Sequence, residues 1–157
     1  MPERLVIDAS VAAKWFLKDA LEADVDLADD ILLAFLAGDI ELYAPRLLSY
    51  ELCGLLAKAC APQGKGGVRR LSKEKAATCV REFFGLPLQI SEATEEEGVE
   101  SLQMAVDYAK KHYDMIYIRL AGKLDCQWCT ADGKILQAVP DEFPSHRVLI
   151  LSTLRQP

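Results

Sequence analysis

The chain has 157 residues, 51% apolar and 27% charged, with a formal net charge of −6. That is the length of one domain, 1–157, with core enough to fold without disulfides or structural metal, in the composition of an ordinary soluble globular protein. No run approaches the roughly 20 apolar residues of a membrane span, and the acidic balance argues against a general nucleic-acid binder, which would be basic.

The opening MPERLVIDAS has no basic stretch leading into an apolar one, so no secretion signal is expected. The five cysteines (Cys53, Cys60, Cys79, Cys126 and Cys129) are odd in number and scattered among apolar residues, which reads as reduced core thiols in a cytoplasmic protein. RLVID (4–8) is a short buried strand ending in a carboxylate, and Ser10 is placed to cap a short helix through Val11–Leu17. From about 23 to 37, Val25, Leu27, Ile31, Leu32, Phe35 and Leu36 recur at helical spacing until Gly38 stops them. IELYA (40–44) reads as a second strand, and Pro45 as the opening of a helix reaching about Ala61. APQGKGG (61–67) is the flexible stretch. A helix over about 72–84 and a strand at LQI (88–90) follow.

Thr94 with Glu95, Glu96 and Glu97 forms a capping box with an acidic first turn, starting a helix to about Lys111. Another helix covers about 114–124, CQWCT (126–130) is an apolar strand, Asp132 begins a short helical segment, and RVLIL (147–151) is the last strand. Strands alternating with helices predict an α/β fold, a three-layer α/β/α sandwich on a mainly parallel sheet of about 4–5 strands. Sites in such sheets form beyond the C-terminal ends of the strands, where Asp8 and Asp132 both fall.

Each acid has an ordinary alternative. Asp114 and Asp132 sit where helices start and can be N-caps, and Asp8 can be a turn residue before Ser10. Glu51 is harder to explain that way. With Leu47 at 0° and 100° per residue, the apolar positions 48, 52, 55, 56 and 59 span about 80° to 180°, and Glu51 falls at about 40°, inside the apolar arc. A carboxylate there is expensive unless paired with a cationic side chain or bound to metal. Four converging carboxylates repel one another and need cations, and all-oxygen ligation suits Mg²⁺ or Mn²⁺. The two histidines, His112 and His146, are too far apart in sequence to suggest a zinc site. Setting four acids aside for cations would remove four of the six excess negative charges.

At these residues the sequence resembles the PIN-domain family, in particular VapC-type toxins of prokaryotic toxin–antitoxin pairs. VIDASVAAKWFL (6–17) resembles the opening motif, APRLLSYEL (44–52) the second, YDMIYIRLAGKL (113–124) the third and CTADGKIL (129–136) the fourth. The resemblance implies a PIN-like fold and a Mg²⁺- or Mn²⁺-dependent endoribonuclease, homodimeric and held inactive by an antitoxin. It implies Asp8, Glu51, Asp114 and Asp132 as metal ligands, with Ser10 and Thr130 supporting the site by hydrogen bonds. The chain departs from the pattern at Gly54, where the family often has Asn, at Lys18 and Asp19, where Pro and acids often follow the opening motif, and in a longer 61–67 loop.

Lys58, Lys65, Arg69, Arg70, Lys73 and Lys75 form a basic run that reads as a solvated face, an RNA-backbone surface or an antitoxin interface. Lys14 and Arg119 can contact phosphate or be surface charges. Cys126 and Cys129 form a CxxC inside a strand, away from the helix N-terminus that would activate it, and read as core. Trp15, Phe16, Phe83 and Phe84 read as core or dimer interface. Three other functions are weighed: a catalytically silent PIN-fold interaction protein, an RNA-processing nuclease outside a toxin pair, and a phosphatase or receiver domain. The last wants a second acid near Asp8, where this chain has Ser10.

Overall fold

The computed structural model describes residues 3–63 and 66–155. Its five strands are β1 (Glu3–Ile7), β2 (Ile40–Pro45), β3 (Gln89–Ser91), β4 (Gln127–Thr130) and β5 (Val148–Ile150). Every pairing is parallel, in the order β3-β2-β1-β4-β5. The central strand is covered on both sides, with Val6 and Ile7 wholly buried, as parallel sheets require.

The helices are α1 (Ala9–Ala12), α2 (Val25–Ala37), α3 (Leu47–Cys60), α4 (Lys73–Gly85), α5 (Glu95–Asp107) and α6 (His112–Lys123). Right-handed crossovers put α2, α3 and α4 on one face of the sheet. The return from β3 to β4 puts α5 and α6 on the other, where α6 packs on β1, β2 and β4 and α5 packs on α6. The expected three-layer α/β/α fold is therefore the observed one. Its core joins Leu48, Leu52 and Leu56 of α3 and Met115, Ile118 and Leu120 of α6 to the sheet. Among the described residues no helix is long and apolar enough to cross a membrane.

Several local expectations change. Asp8, not Ser10, caps the first helix, because the chain turns directly out of β1 and the aspartate side chain meets the N–H groups of Ser10 and Val11. A 3-10 turn at Ala13–Trp15 follows α1, and the Trp15 indole donates to the Ala28 carbonyl at 2.9 Å. Pro45 ends β2 rather than opening α3: its register partner is Ser91, at a strand end where a missing N–H costs nothing. α5 stops at Asp107, and Ala109 turns left-handed (φ 50°). That break lets α6 begin at His112, so Asp114 lies inside its first turn and is not a cap.

The Thr94 capping box forms as expected, and Gly38 ends α2 in the left-handed conformation that glycine adopts without strain. Of the 61–67 stretch, Gly64 and Lys65 lie outside the described residues. Gln63 and Val68 close a bridge across it, with the Gln63 N–H donating to the Val68 carbonyl at 2.9 Å.

Candidate active site

The four acids expected at the site arrive from four elements, all beyond the C-terminal ends of the strands. Asp8 follows β1, Glu51 lies on α3, Asp114 in the first turn of α6, and Asp132 two residues past β4. All four line one cleft of about 450 Å³, together with Ser10, Thr130, Gly54, Lys111, Tyr117 and Trp128. A glycine at position 54 leaves the α3 wall open there: a Cβ would meet nothing within 4 Å.

Asp8 is buried, and its two oxygens are used differently. Oδ1 accepts from the Ser10 N–H at 2.9 Å, the Val11 N–H at 3.4 Å and the Ser10 hydroxyl. Oδ2 accepts from the Trp128 indole N–H at 3.2 Å. The sheet register explains the meeting: Val6 pairs with Trp128 and Ile7 with Cys129, so the end of β1 runs alongside β4.

Ser10 and Thr130 brace the loop that carries Asp132. The Ser10 Oγ lies 3.3 Å from the Thr130 hydroxyl and accepts from the Ala131 N–H at 2.8 Å. The Thr130 hydroxyl accepts from the Asp132 N–H at 3.2 Å. Asp132 in turn caps a 3-10 turn at Gly133–Leu136 by accepting from the Lys134 N–H at 3.0 Å. Glu51 accepts a hydrogen bond on Oε2 from the Tyr117 hydroxyl.

Burial raises the pKa of Asp8 above the ordinary carboxyl value, against the pull of its hydrogen bonds. Burial also raises Glu51, and the charges of Asp8 and Asp114 push it further, while the Tyr117 bond opposes them. Asp114 is raised by burial and by Asp8 and Asp132, with Lys111 opposing. The same negative field, with burial first, holds the Tyr117 hydroxyl in its protonated form and pushes the Cys129 thiol up to about 12. That thiol is buried and protonated, a core residue as expected.

Among the described residues none of the four acids takes part in an ion pair. Lys111 lines the cleft and acts on Asp114 through its charge, while three other cationic side chains, singled out in the sequence, are engaged elsewhere. Lys14 is buried and paired with Glu22 at 3.1 Å. Arg70 is held by Asp19 at 2.6 Å and Glu22 at 2.9 Å. Arg119 bonds Glu97 at 3.0 Å. None of the three is free to meet phosphate as it stands, which narrows the basic run and the two single cations singled out in the sequence.

The donor set fits a hard divalent cation, because it is all oxygen and its four carboxylates outnumber the one cation, Lys111, that lines the cleft with them. Among the described residues no three His, Cys, Asp or Glu side chains stand close enough to hold a metal ion directly. That spacing suits an ion such as Mg²⁺, which keeps several waters and binds through one or two carboxylates.

Tyr117, Trp128 and Lys111 line the site and are passed over by sequence reasoning, Lys111 because it reads as the end of the preceding helix; the two aromatics hid differently. Both sit in apolar runs at core spacing. The only signal was their polar edge, an O–H and an N–H that a buried aromatic must satisfy somewhere.

No protein-family model matches the chain, and no curated protein does. Solved structures do. The sarcin–ricin loop cleaving toxin VapC20 of Mycobacterium tuberculosis superposes with a TM-score of 0.58 at 13% identity, covering 82% of this chain and 90% of that one. A toxin–antitoxin complex from Klebsiella pneumoniae gives a TM-score of 0.61 at 14% identity, covering 94% and 97%. VapBC2 from Rickettsia felis, bound to a DNA fragment from its promoter, gives 0.59 at 12% identity, covering 87% and 93%. At these identities the likeness is one of fold.

Proposed function

We propose, on the premise that this chain has the PIN-like fold of the VapC-type toxins, that it is a Mg²⁺- or Mn²⁺-dependent endoribonuclease, the toxin of a toxin–antitoxin pair. The observation that carries the reading is one cleft lined by four carboxylates, none of them ion-paired among the described residues, at the strand ends where such folds build sites. Asp8, Glu51, Asp114 and Asp132 would hold the metal, directly or through its waters. When bound, a divalent cation supplies an activated water and charge stabilisation at the departing oxygen of a phosphodiester.

The chain's own residues do the rest. Asp8 is fixed by the turn it caps. Ser10 and Thr130 hold the Asp132 loop in place and offer hydroxyls toward the cleft. A second cleft of about 540 Å³ shares Ser10, Leu55 and Asp132 with the first and is lined by Lys58 and Lys134. Neither lysine is in an ion pair among the described residues, and they suit the backbone phosphates of an RNA strand leading into the acids. Leu102 and Val106, one helical turn apart on α5, each expose more than half of their surface and present an apolar pair suited to a homodimer or antitoxin contact.

The test is RNA cleavage by the purified chain with Mn²⁺ or Mg²⁺, against Asp8→Asn. The substitution is expected to lower the rate at least about 10²-fold, more than the loss of an outer-shell partner of a metal. Undiminished cleavage by the variant sinks the reading. A short neighbouring reading frame whose product suppresses the cleavage would establish the toxin pairing.

A further inference from the structure

Tyr117 and Trp128 stack in the floor of the cleft, ring centroids 5.7 Å apart and planes 13° from parallel, and both are buried. Each turns its single polar atom onto a different acid: the Trp128 N–H onto Asp8 Oδ2, the Tyr117 O–H onto Glu51 Oε2. We propose that Tyr117 and Trp128 are positioning residues of a cation site, each donating a neutral hydrogen bond that fixes one carboxylate while leaving its charge for the metal. This rests on the metal-site reading above.

The lone pairs support the assignment. Among the described residues Asp8 Oδ1 is filled by three donors, whereas the one hydrogen bond to Oδ2 comes from Trp128, which leaves that oxygen a second lone pair. Glu51 Oε2 receives Tyr117, and Oε1 has no donor among the described residues. At Glu51 the phenol leaves Oε1 as the open oxygen, and at Asp8 the turn fills Oδ1 while the indole holds Oδ2 in place. The kind of donor matters as much as its place. A lysine or arginine would orient the acids equally well and would also neutralise them, as Arg119 and Lys123 do for Glu97. An indole N–H and a phenol O–H orient without bringing a charge to compete with a cation. The stack makes the two bonds one unit, since neither ring can turn without displacing the other. The chain's other tryptophan does nothing comparable: the Trp15 indole serves a backbone carbonyl.

The experiment is a calorimetric Mn²⁺ titration near neutral pH of the whole chain, Tyr117→Phe and Trp128→Phe, with metal-free melting curves and tryptophan emission followed alongside. Tyr117→Phe is expected to weaken Mn²⁺ binding at least about tenfold, as loss of an outer-shell partner does. Its metal-free Tm should stay within about 4 °C of the parent, the scale of one hydrogen bond. Mn²⁺ should quench Trp128 emission with the calorimetric midpoint. Tyr117→Phe shifts that midpoint at unchanged amplitude, and Trp128→Phe removes the quench.

Parent-like Mn²⁺ affinity in both variants overturns the proposal and leaves the metal site standing. Absence of Mn²⁺ binding by the parent overturns both. Should Trp128→Phe fail to fold, Tyr117→Phe decides alone, because it deletes one oxygen and keeps the ring.

Discussion

Two regions of this molecule bury carboxylates and treat them in opposite ways. Glu97 on α5 is nearly enclosed. It closes the capping box by accepting from the Thr94 N–H at 3.0 Å and receives Lys123 at 2.6 Å and Arg119 at 3.0 Å from α6. Lys123 first, then Thr94, with Arg119 adding to them, holds its pKa down to about 2. In the cleft, Asp8, Glu51 and Asp114 have no ion-pair partner among the described residues, and burial holds their carboxyls up. One acid ties two helices together. For the others burial disfavours the charged form, a cost that a bound cation would offset. Burial of a carboxylate therefore says nothing about its role until its partners are known.

The largest effect that sharpens this contrast is expected at the paired acid. Glu97→Gln should lower stability by about 3 kcal/mol, the scale of a buried pair that loses one member. A chemical denaturation curve measures it, and a change under about 0.5 kcal/mol would break the contrast. The cleft should respond to metal instead. Mn²⁺ at about a hundred times its Kd should add about 2.7 kcal/mol by mass action, and Tm should rise with concentration. Removing the metal with a chelator should reverse the gain.

A smaller effect follows at the cleft without metal. Asp114 accepts no hydrogen bond among the described residues, so Asp114→Asn should relieve repulsion and raise metal-free stability by on the order of 1 kcal/mol. The same change should reduce stabilisation by Mn²⁺. Metal-free melting that falls instead would show the acid held by attraction rather than repulsion.

The pH dependence carries opposite signs in the two regions. The folded-state pKa of Glu97 is depressed, so its contribution is present above the ordinary carboxyl range and is lost as pH falls toward about 2. The pKa values of the cleft acids are raised. Their relative contribution is present below the ordinary value and is lost as pH rises through the raised one. Metal-free stability should therefore peak in mild acid, and Mn²⁺ should flatten the neutral side of the curve. The smallest effect concerns the cleft wall. Gly54 is interior to α3, with open space at its Cβ, so Gly54→Ala should add somewhat under about 1 kcal/mol.

Much of the frame was legible from pattern. Apolar runs located all five strands to within about two residues, and the Thr94 capping box fixed the start of α5. Tertiary pairing was not legible. Ser10 looked like the cap because hydroxyl residues favour that place, but the turn out of β1 gives it to Asp8. Asp114 looked like a cap because the left-handed turn at Ala109, which starts α6 early, has no sequence mark. Lys14, Arg70 and Arg119 looked free because the acids that hold them lie 8 to 51 residues away along the chain, or on a different helix. Tyr117 and Trp128 looked like core, and they are core. Their function lies in one polar atom each, which composition and periodicity do not see.

Asp8 follows a strand, caps a helix and lines the cleft, and these three uses have a genetic consequence. Asparagine is as good a cap as aspartate, and codons for the two differ by one base. Asp8→Asn, which removes the charge, is thus expected to leave the strand and the cap intact. Chains changed this way would persist as stable, folded protein rather than vanish through degradation of unfolded chains.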